Sequence, residues 1–145
     1  MLLKPNMVLP GLACTKQETV EEIADATMTC LLRVVPAAVA GITFLSGGQS
    51  AELASARLNS MNLRFKSRLP WALSFSYGRA IQNSALEIWH GEEVKVPAAQ
   101  LALQHRARCN RYARRGEYNS AMELTINFPP AGSGYSEDLL WDPTY

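Results

Sequence analysis

Apolar residues recur three, four or five positions apart from Val20 through Ile23, Ala24, Met28 and Leu31 to Val35, a spacing that gathers side chains on one face of a helix. Thr19 with Glu22 three residues later matches a capping box, Glu21 and Glu22 put negative charge in the first turn, and Pro36 stops the run. The pattern therefore predicts a helix from about Val20 to Val35. A strand rich in aliphatic and aromatic residues follows over Gly41–Leu45, then a helix over Ala51–Met61 behind Ser50 as cap, with Leu53, Ala54, Leu58 and Met61 as its stripe. From Trp71 to Tyr77 the period changes to two: Trp71, Leu73, Phe75 and Tyr77 alternate with Ala72, Ser74 and Ser76, which predicts a strand. Gly78-Arg79 leads into a helix over Ala80–Trp89 that Gly91 ends, and Pro97 fits the first turn of a last helix, Ala98 to about Arg115, which ends at Gly116.

The first residues alternate as well. Leu2, Lys4 and Asn6 share one face of an extended segment, and Leu3, Pro5 and Met7 share the other. Pro5 steers Lys4 out of the helical region, so Lys4 falls near the end of a strand. Three strand-helix units in succession predict a parallel α/β sheet with right-handed crossovers. The pattern does not separate a piece of a barrel from a piece of a doubly wound sheet. Phe128-Pro-Pro-Ala-Gly-Ser-Gly134 breaks any period, so the organisation expected is a body over residues 1–116 and an irregular, mobile tail over 117–145.

Composition adds boundaries. At 145 residues with 48% hydrophobic and 19% charged residues, the chain suits one ordinary globular domain and is shorter than the roughly 200–250 residues that close an eightfold barrel. A net charge of +1 gives no case for nucleic acid or a membrane surface. The apolar region from Met28 to Leu45 is interrupted by Arg33 and Pro36, so no membrane span is expected, and the start of the chain lacks the apolar core of a signal peptide. Cys14, Cys30 and Cys109 form neither an even disulfide set nor a paired metal motif, which suits reduced thiols and a cytoplasmic location.

Candidate chemistry lies at the carboxyl ends of the strands, where parallel α/β proteins bind ligands. Lys4 is one such residue. An ammonium held among apolar side chains favours the neutral amine, the form that attacks carbonyls, whereas a strand-edge lysine with its head in water is the competing account. Ser46-Gly47-Gly48 permits close backbone approach to a ligand, and Gly78-Arg79 adds unhindered N–H groups and a guanidinium fork matched to phosphate. Separately, Gly47-Gly48 reads as a turn and Arg79 as a solvated or ion-paired residue. Their place on successive strands points to an anion cradle. The basic stretch Arg64, Lys66 and Arg68 reads as a solvated connection, and His90 and His105 as surface or packing residues.

Leu-Leu-Lys-Pro-Asn-Met-Val at residues 2–8, Thr-Phe-Leu-Ser-Gly-Gly-Gln-Ser at 43–50 and Phe-Ser-Tyr-Gly-Arg-Ala at 75–80 resemble the class I fructose-bisphosphate aldolases, in family order, from Leu2 to about Gly116. The resemblance implies that these strands are the sixth, seventh and eighth of a TIM (β/α)8 barrel, incomplete in this chain, corresponding to the C-terminal half of a family member. It implies that Lys4 forms a Schiff base with the ketose or with dihydroxyacetone phosphate. It further implies that Ser46, Gly47, Gly78 and Arg79 hold the phosphate, that Tyr145 matches the C-terminal tyrosine assisting proton transfer, and that neither metal nor cofactor is required. A disordered terminal aromatic is the competing account of Tyr145. Family members usually form homotetramers and act in glycolysis and gluconeogenesis on sugar phosphates.

The carboxylates and further lysines that the family places on its first five strands have no counterpart here, and Met1 stands where the family motif has a Glu-Gly pair. The expectation is an aldolase fragment that is inactive or nearly so on its own. The alternative is a non-catalytic phosphate-binding or interaction module that associates with itself or with an intact aldolase.

Overall fold

The computed structural model describes residues 1–124 except Leu12. Its sheet has three parallel strands in the order β1 (Leu2–Leu3), β2 (Gly41–Phe44), β3 (Ala72–Phe75). Leu2 pairs with Gly41 and Leu3 with Ile42, while Gly41 pairs with Ala72 and Phe44 with Phe75. Beyond the ladder the Leu45 amide donates to the Pro5 carbonyl (3.0 Å) and the Ser76 amide to the Phe44 carbonyl (2.8 Å). The pairing therefore continues towards the residues singled out for chemistry.

The helices are α1 (Val20–Val34), α2 (Ala51–Arg64), α3 (Arg79–Trp89) and α4 (Val96–Arg115). The Thr19 capping box forms as expected, with the Glu22 amide donating to Thr19 Oγ1 (3.1 Å) and the Thr19 amide to the Glu22 carboxylate (2.9 Å). Ser50 caps α2 by accepting from the Leu53 amide. α1 packs on α2, and α2 packs on both α3 and α4.

Residues paired across a parallel ladder share a face, so register and burial locate the core. Ile42, Phe44 and Leu73 are buried in the core cluster, with Leu3 and Phe75 packed against it. The opposite face carries Leu2, Gly41, Thr43, Ala72 and Ser74, small or polar apart from Leu2, which is 65% exposed. Among the described residues the apolar core lies on one face of the sheet only. Sequential strand order with the core on one face is the winding of a barrel wall, whereas a doubly wound sheet reverses its strand order and covers both faces.

The sequence-based boundaries shift where tertiary contacts outweigh local pattern. β3 is confined to Ala72–Phe75 although Trp71 to Tyr77 alternate. At its flanks the Trp71 indole donates to the Pro36 carbonyl (2.9 Å) and Tyr77 Oη to the Ala54 carbonyl (3.0 Å). α2 continues three residues past Met61 because Asn62, buried and polar, donates to the Leu58 carbonyl within the helix and to the Ala113 carbonyl of α4. The packed body also passes Gly116, where the hydropathy pattern ends it. Tyr118 is buried, its amide donates to Asn59 Oδ1 (2.9 Å), and Ser120–Leu124 forms a 3-10 turn. Tyr145 and the rest of the tail from residue 125 lie outside the described residues.

Candidate functional site

The carboxyl ends of the three strands bring together a lysine, a glycine turn and a helix start. Lys4 directly follows β1, Ser46-Gly47-Gly48 lies two residues past β2, and Gly78-Arg79 opens α3. Adjacent strands are about 4.8 Å apart, so Lys4 lies about one strand spacing from the β2 end and about two from the β3 end.

Gly47 and Gly48 have φ of +58° and +82°, in the left-handed region that L side chains rarely adopt. A Cβ at Gly47 would also lie 2.2 Å from Asn6 Oδ1, the tip of an exposed side chain that can swing aside, so the backbone conformation is the stricter demand. The turn thus seats directly against the segment that carries Lys4. Its far end is fixed by Gln49, which donates from its backbone amide (3.1 Å) and from Nε2 (2.9 Å) to the Ser46 carbonyl and accepts at Oε1 from Arg57 Nη1 (2.8 Å). Arg57 is itself 4% exposed, so the brace is internal. We expect Gly47→Ala to destabilise the chain by about 1–3 kcal/mol through backbone strain, and more where Asn6 must move. Denaturant unfolding of the two proteins, read with far-ultraviolet circular dichroism, measures it; equal midpoints would show that the turn does not need the left-handed backbone at Gly47.

Gly78 precedes the eleven-residue α3 with no side-chain cap, and its carbonyl accepts from the Ile81 (2.9 Å) and Gln82 (3.1 Å) amides. The free N–H groups of such a helix start, together with the helix dipole, favour an anion. Ser46 and Arg79, from different strand ends, line one cavity of about 340 Å³ with Gly48, Asn83 and Ser84. Ser46 is buried and Arg79 exposed. Lys4, Gly47 and Gly78 are not among the residues lining that cavity. The structure thus joins Ser46 to Arg79 and places Gly47 against the Lys4 segment.

The apolar surroundings expected for Lys4 are absent among the described residues. Lys4 is exposed, because alternation puts it on the sheet face opposite the core, in register with Thr43 and Ser74. Leu3, Pro5 and Met7 turn to the core side instead.

Sequence reasoning missed a polar cluster behind the cavity. Arg106, 4% exposed on α4, donates through Nη2 to Ser55 Oγ (2.7 Å) and the Ala51 carbonyl (3.0 Å), and through Nη1 to the Glu123 carboxylate. Ser55 donates to Asn110 Oδ1 (2.8 Å), and Tyr118 Oη to Glu123 Oε1 (2.7 Å). Burial pushes the Glu123 carboxyl up, but its hydrogen bonds from Arg106 and Tyr118 outweigh that and hold it below the usual range. Burial and the neighbouring carboxylate keep Tyr118 protonated well above its ordinary range. His105 belongs to this cluster rather than to the surface. The available signal was phase: Arg106 and Asn110 fall on the same face of α4 as Ala99, Cys109 and Ala113.

A singly wound parallel α/β sheet with a cavity at its carboxyl edge defines the class: part of a barrel-type α/β protein. The family model "Fructose-bisphosphate aldolase class-I" matches residues 1–128. The chain is 54% identical over 122 residues to fructose-bisphosphate aldolase C of Homo sapiens, a match covering 84% of this chain and 33% of that protein. It is 56% identical over 119 residues to fructose-bisphosphate aldolase B of Gallus gallus, covering 81% and 32%. The solved fructose-bisphosphate aldolase of Plasmodium falciparum superposes with a TM-score of 0.77 at 47% identity, over 82% of this chain and 34% of that one. This chain belongs to the class I fructose-bisphosphate aldolase family, and it spans about a third of the length of the relatives it matches. Its three strand-helix units are part of that family's TIM barrel.

Proposed function

We propose that this chain carries the imine-forming lysine and the ketose-phosphate half-site of a class I aldolase, which cleaves fructose 1,6-bisphosphate reversibly to dihydroxyacetone phosphate and glyceraldehyde 3-phosphate. The observation that supports it most is the convergence of Ser46 and Arg79 on one cavity while Gly47 packs against the Lys4 segment. In this reading the neutral Lys4 amine attacks the ketose carbonyl carbon and water leaves. Protonation of the resulting imine gives an iminium that takes up the electron pair of the nearby carbon-carbon bond as it breaks, leaving an enamine that returns the pair when the bond forms. Ser46, the Gly47 and Gly78 amides and the Arg79 guanidinium hold the phosphate, which fixes the carbonyl over Lys4. Tyr145 assists the proton transfer. Cleavage also needs a base for the hydroxyl proton, and no described residue facing Lys4 offers one. The chain by itself is therefore inactive or nearly so. Chain beyond the matched third would cover the exposed sheet face, desolvate Lys4 and supply the base. Three free cysteines, two of them exposed, support a reducing cytoplasmic location. No helix among the described residues is long and apolar enough to cross a membrane.

Incubation with dihydroxyacetone phosphate and borohydride tests the proposal, because hydride reduces an iminium to a stable secondary amine that mass spectrometry maps. The expected adduct is on Lys4, without turnover of fructose 1,6-bisphosphate, and Lys4→Met abolishes it. Arg79→Ala weakens protection by inorganic phosphate about 10- to 150-fold, the worth of a charged hydrogen bond. Labelling of Lys16, Lys66 or Lys95 instead, or labelling unaffected by Lys4→Met, would refute the assignment.

A second reading has its own support. β1 and β3 are the edges of the described sheet, and unpaired strand edges invite pairing with another chain. In this reading the chain is a non-catalytic phosphate-binding module that associates with itself or with an intact aldolase. Light scattering at micromolar concentration separates the two: a well-folded monomer that traps dihydroxyacetone phosphate excludes it, and an oligomer that binds phosphate without trapping supports it.

A further inference from the structure

His105 and Cys109 stand four residues apart on one face of α4, and Glu123 reaches them from the 3-10 turn that follows. His105 Nε2 is 3.6 Å from Cys109 Sγ and 3.6 Å from Glu123 Oε2, and one ligand atom from each residue falls within 4.8 Å of the other two. Zinc bonds of about 2.3 Å to sulfur and about 2.0–2.1 Å to nitrogen and oxygen give tetrahedral edges of about 3.6 Å between S and N and about 3.4 Å between N and O. Two edges of the triangle thus already have nearly the length that a tetrahedral ion imposes.

We propose that His105, Cys109 and Glu123 form a binding site for a thiophilic divalent cation, Zn²⁺ foremost, with water as the fourth ligand. One nitrogen, one sulfur and one carboxylate with an open fourth position is a donor set that suits zinc and rejects Mg²⁺ and Ca²⁺, which take oxygen ligands. The outer contacts are in place. Tyr118 Oη donates to Glu123 Oε1, and Arg106, anchored on Ser55 and the Ala51 carbonyl, donates to Oε2, the oxygen that also faces His105, so hydrogen bonds from behind orient the carboxylate as they do at metal sites. The side chains of His105 and Glu123 are 12% and 17% exposed and both line the 340 Å³ cavity, while Cys109, 1% exposed, lines a separate cavity of about 100 Å³ with His105, so an ion would enter from the side of His105 and Glu123. Binding exchanges the Cys109 S–H bond for a metal–sulfur bond and releases the proton to solvent. The Arg106–Glu123 pair accounts for Glu123 alone; it does not explain why His105 Nε2 faces both the sulfur and the carboxylate. Nothing in the proposed imine chemistry uses these three residues.

Cobalt titration of the reduced full chain is the test, in a C14S/C30S background because Cys14 and Cys30 are exposed and would bind metal on their own. The expected result is saturation at one equivalent, with a thiolate-to-cobalt band in the near ultraviolet, the intense visible bands of four-coordinate Co²⁺, and loss of both on adding Zn²⁺. Cys109→Ser removes the near-ultraviolet band and weakens Zn²⁺ binding more than about 100-fold, beyond the 10- to 100-fold that loss of an outer-shell partner costs; Tyr118→Phe falls within that lesser range. Far-ultraviolet circular dichroism checks that the variants fold, and if Cys109→Ser does not, the spectrum of the unsubstituted site decides alone. No stoichiometric binding, a six-coordinate spectrum without the sulfur band, or unchanged affinity in folded Cys109→Ser overturns the site. Because the readouts are spectra and affinities, they are independent of imine trapping.

Discussion

Arg106→Met lowers the stability of the chain by about 3–5 kcal/mol, the cost of removing one partner from a buried ion pair and leaving the other charge uncompensated. Arg106 is 4% exposed and binds three acceptors: the Ala51 carbonyl and Ser55 Oγ on α2, and Glu123. Methionine fills much of the volume, so packing loss is secondary and the loss of charge dominates. This guanidinium links α2, α4 and the turn at Ser120–Leu124, beside the Ser55–Asn110 and Asn62–Ala113 bonds between the two helices. For a chain of this size the melting temperature falls by about 10 °C or more. The pH dependence identifies the mechanism. The folded Glu123 carboxyl is held below its ordinary value of 4.5, so its contribution is complete above that value and is lost as pH falls through the folded pKa. Arg106→Met removes the main cause of the depression, so the stability gap between the two proteins narrows below about pH 4.5. Guanidinium or urea unfolding at pH 7 and below pH 4 reads both effects. A gap that stayed constant across that range would assign the loss to packing instead.

That network also marks where sequence reading fails, and the reason is physical. Hydropathy treats Arg106, Asn110, Ser55 and Glu123 as surface residues, because water is the usual partner of such groups. Here their partners are one another, 51 and 55 residues apart for the Arg106–Ser55 and Ser55–Asn110 bonds, and no local window contains both ends. The zinc-compatible triangle was hidden for the same reason: His105 and Cys109 have a readable spacing, but Glu123 lies beyond Gly116, where pattern gives way. What was legible rests on local rules. The Thr19–Glu22 box forms because its two donors and two acceptors are four consecutive residues' work. The alternation of Leu2, Lys4 and Asn6 against Leu3, Pro5 and Met7 survives because a strand has no other geometry, and burial divides those six residues along that line. The same alternation does not say what surrounds Lys4. Which face a residue shares is a local fact, but whether that face is covered is a property of the whole assembly.

Phe44→Ala and Thr43→Ala put that distinction to a quantitative test one residue apart on the same strand. Phe44 is 0% exposed at the end of β2, inside the core cluster with Leu58, Met61 and Leu73. Truncation leaves a cavity that neighbouring helices close only in part, and about 3–5 kcal/mol is lost. Because the Phe44 carbonyl accepts from Ser76 and β2 runs on into Ser46-Gly47, the loss also loosens the proposed phosphate cradle. Thr43 points to the opposite face and is half-buried, so its truncation costs within about 1 kcal/mol in a monomer. The comparison reaches beyond the fold. If other chain, either a second copy or an intact aldolase, covers the Lys4 face, then Thr43 becomes an interior residue. Thr43→Ala would then cost more as protein concentration or partner is raised, while the cost of Phe44→Ala stays fixed. Unfolding measured at two concentrations a hundredfold apart, and again with partner aldolase, reads this directly. A Thr43→Ala penalty that is small and independent of both means that no other chain covers the face bearing Lys4.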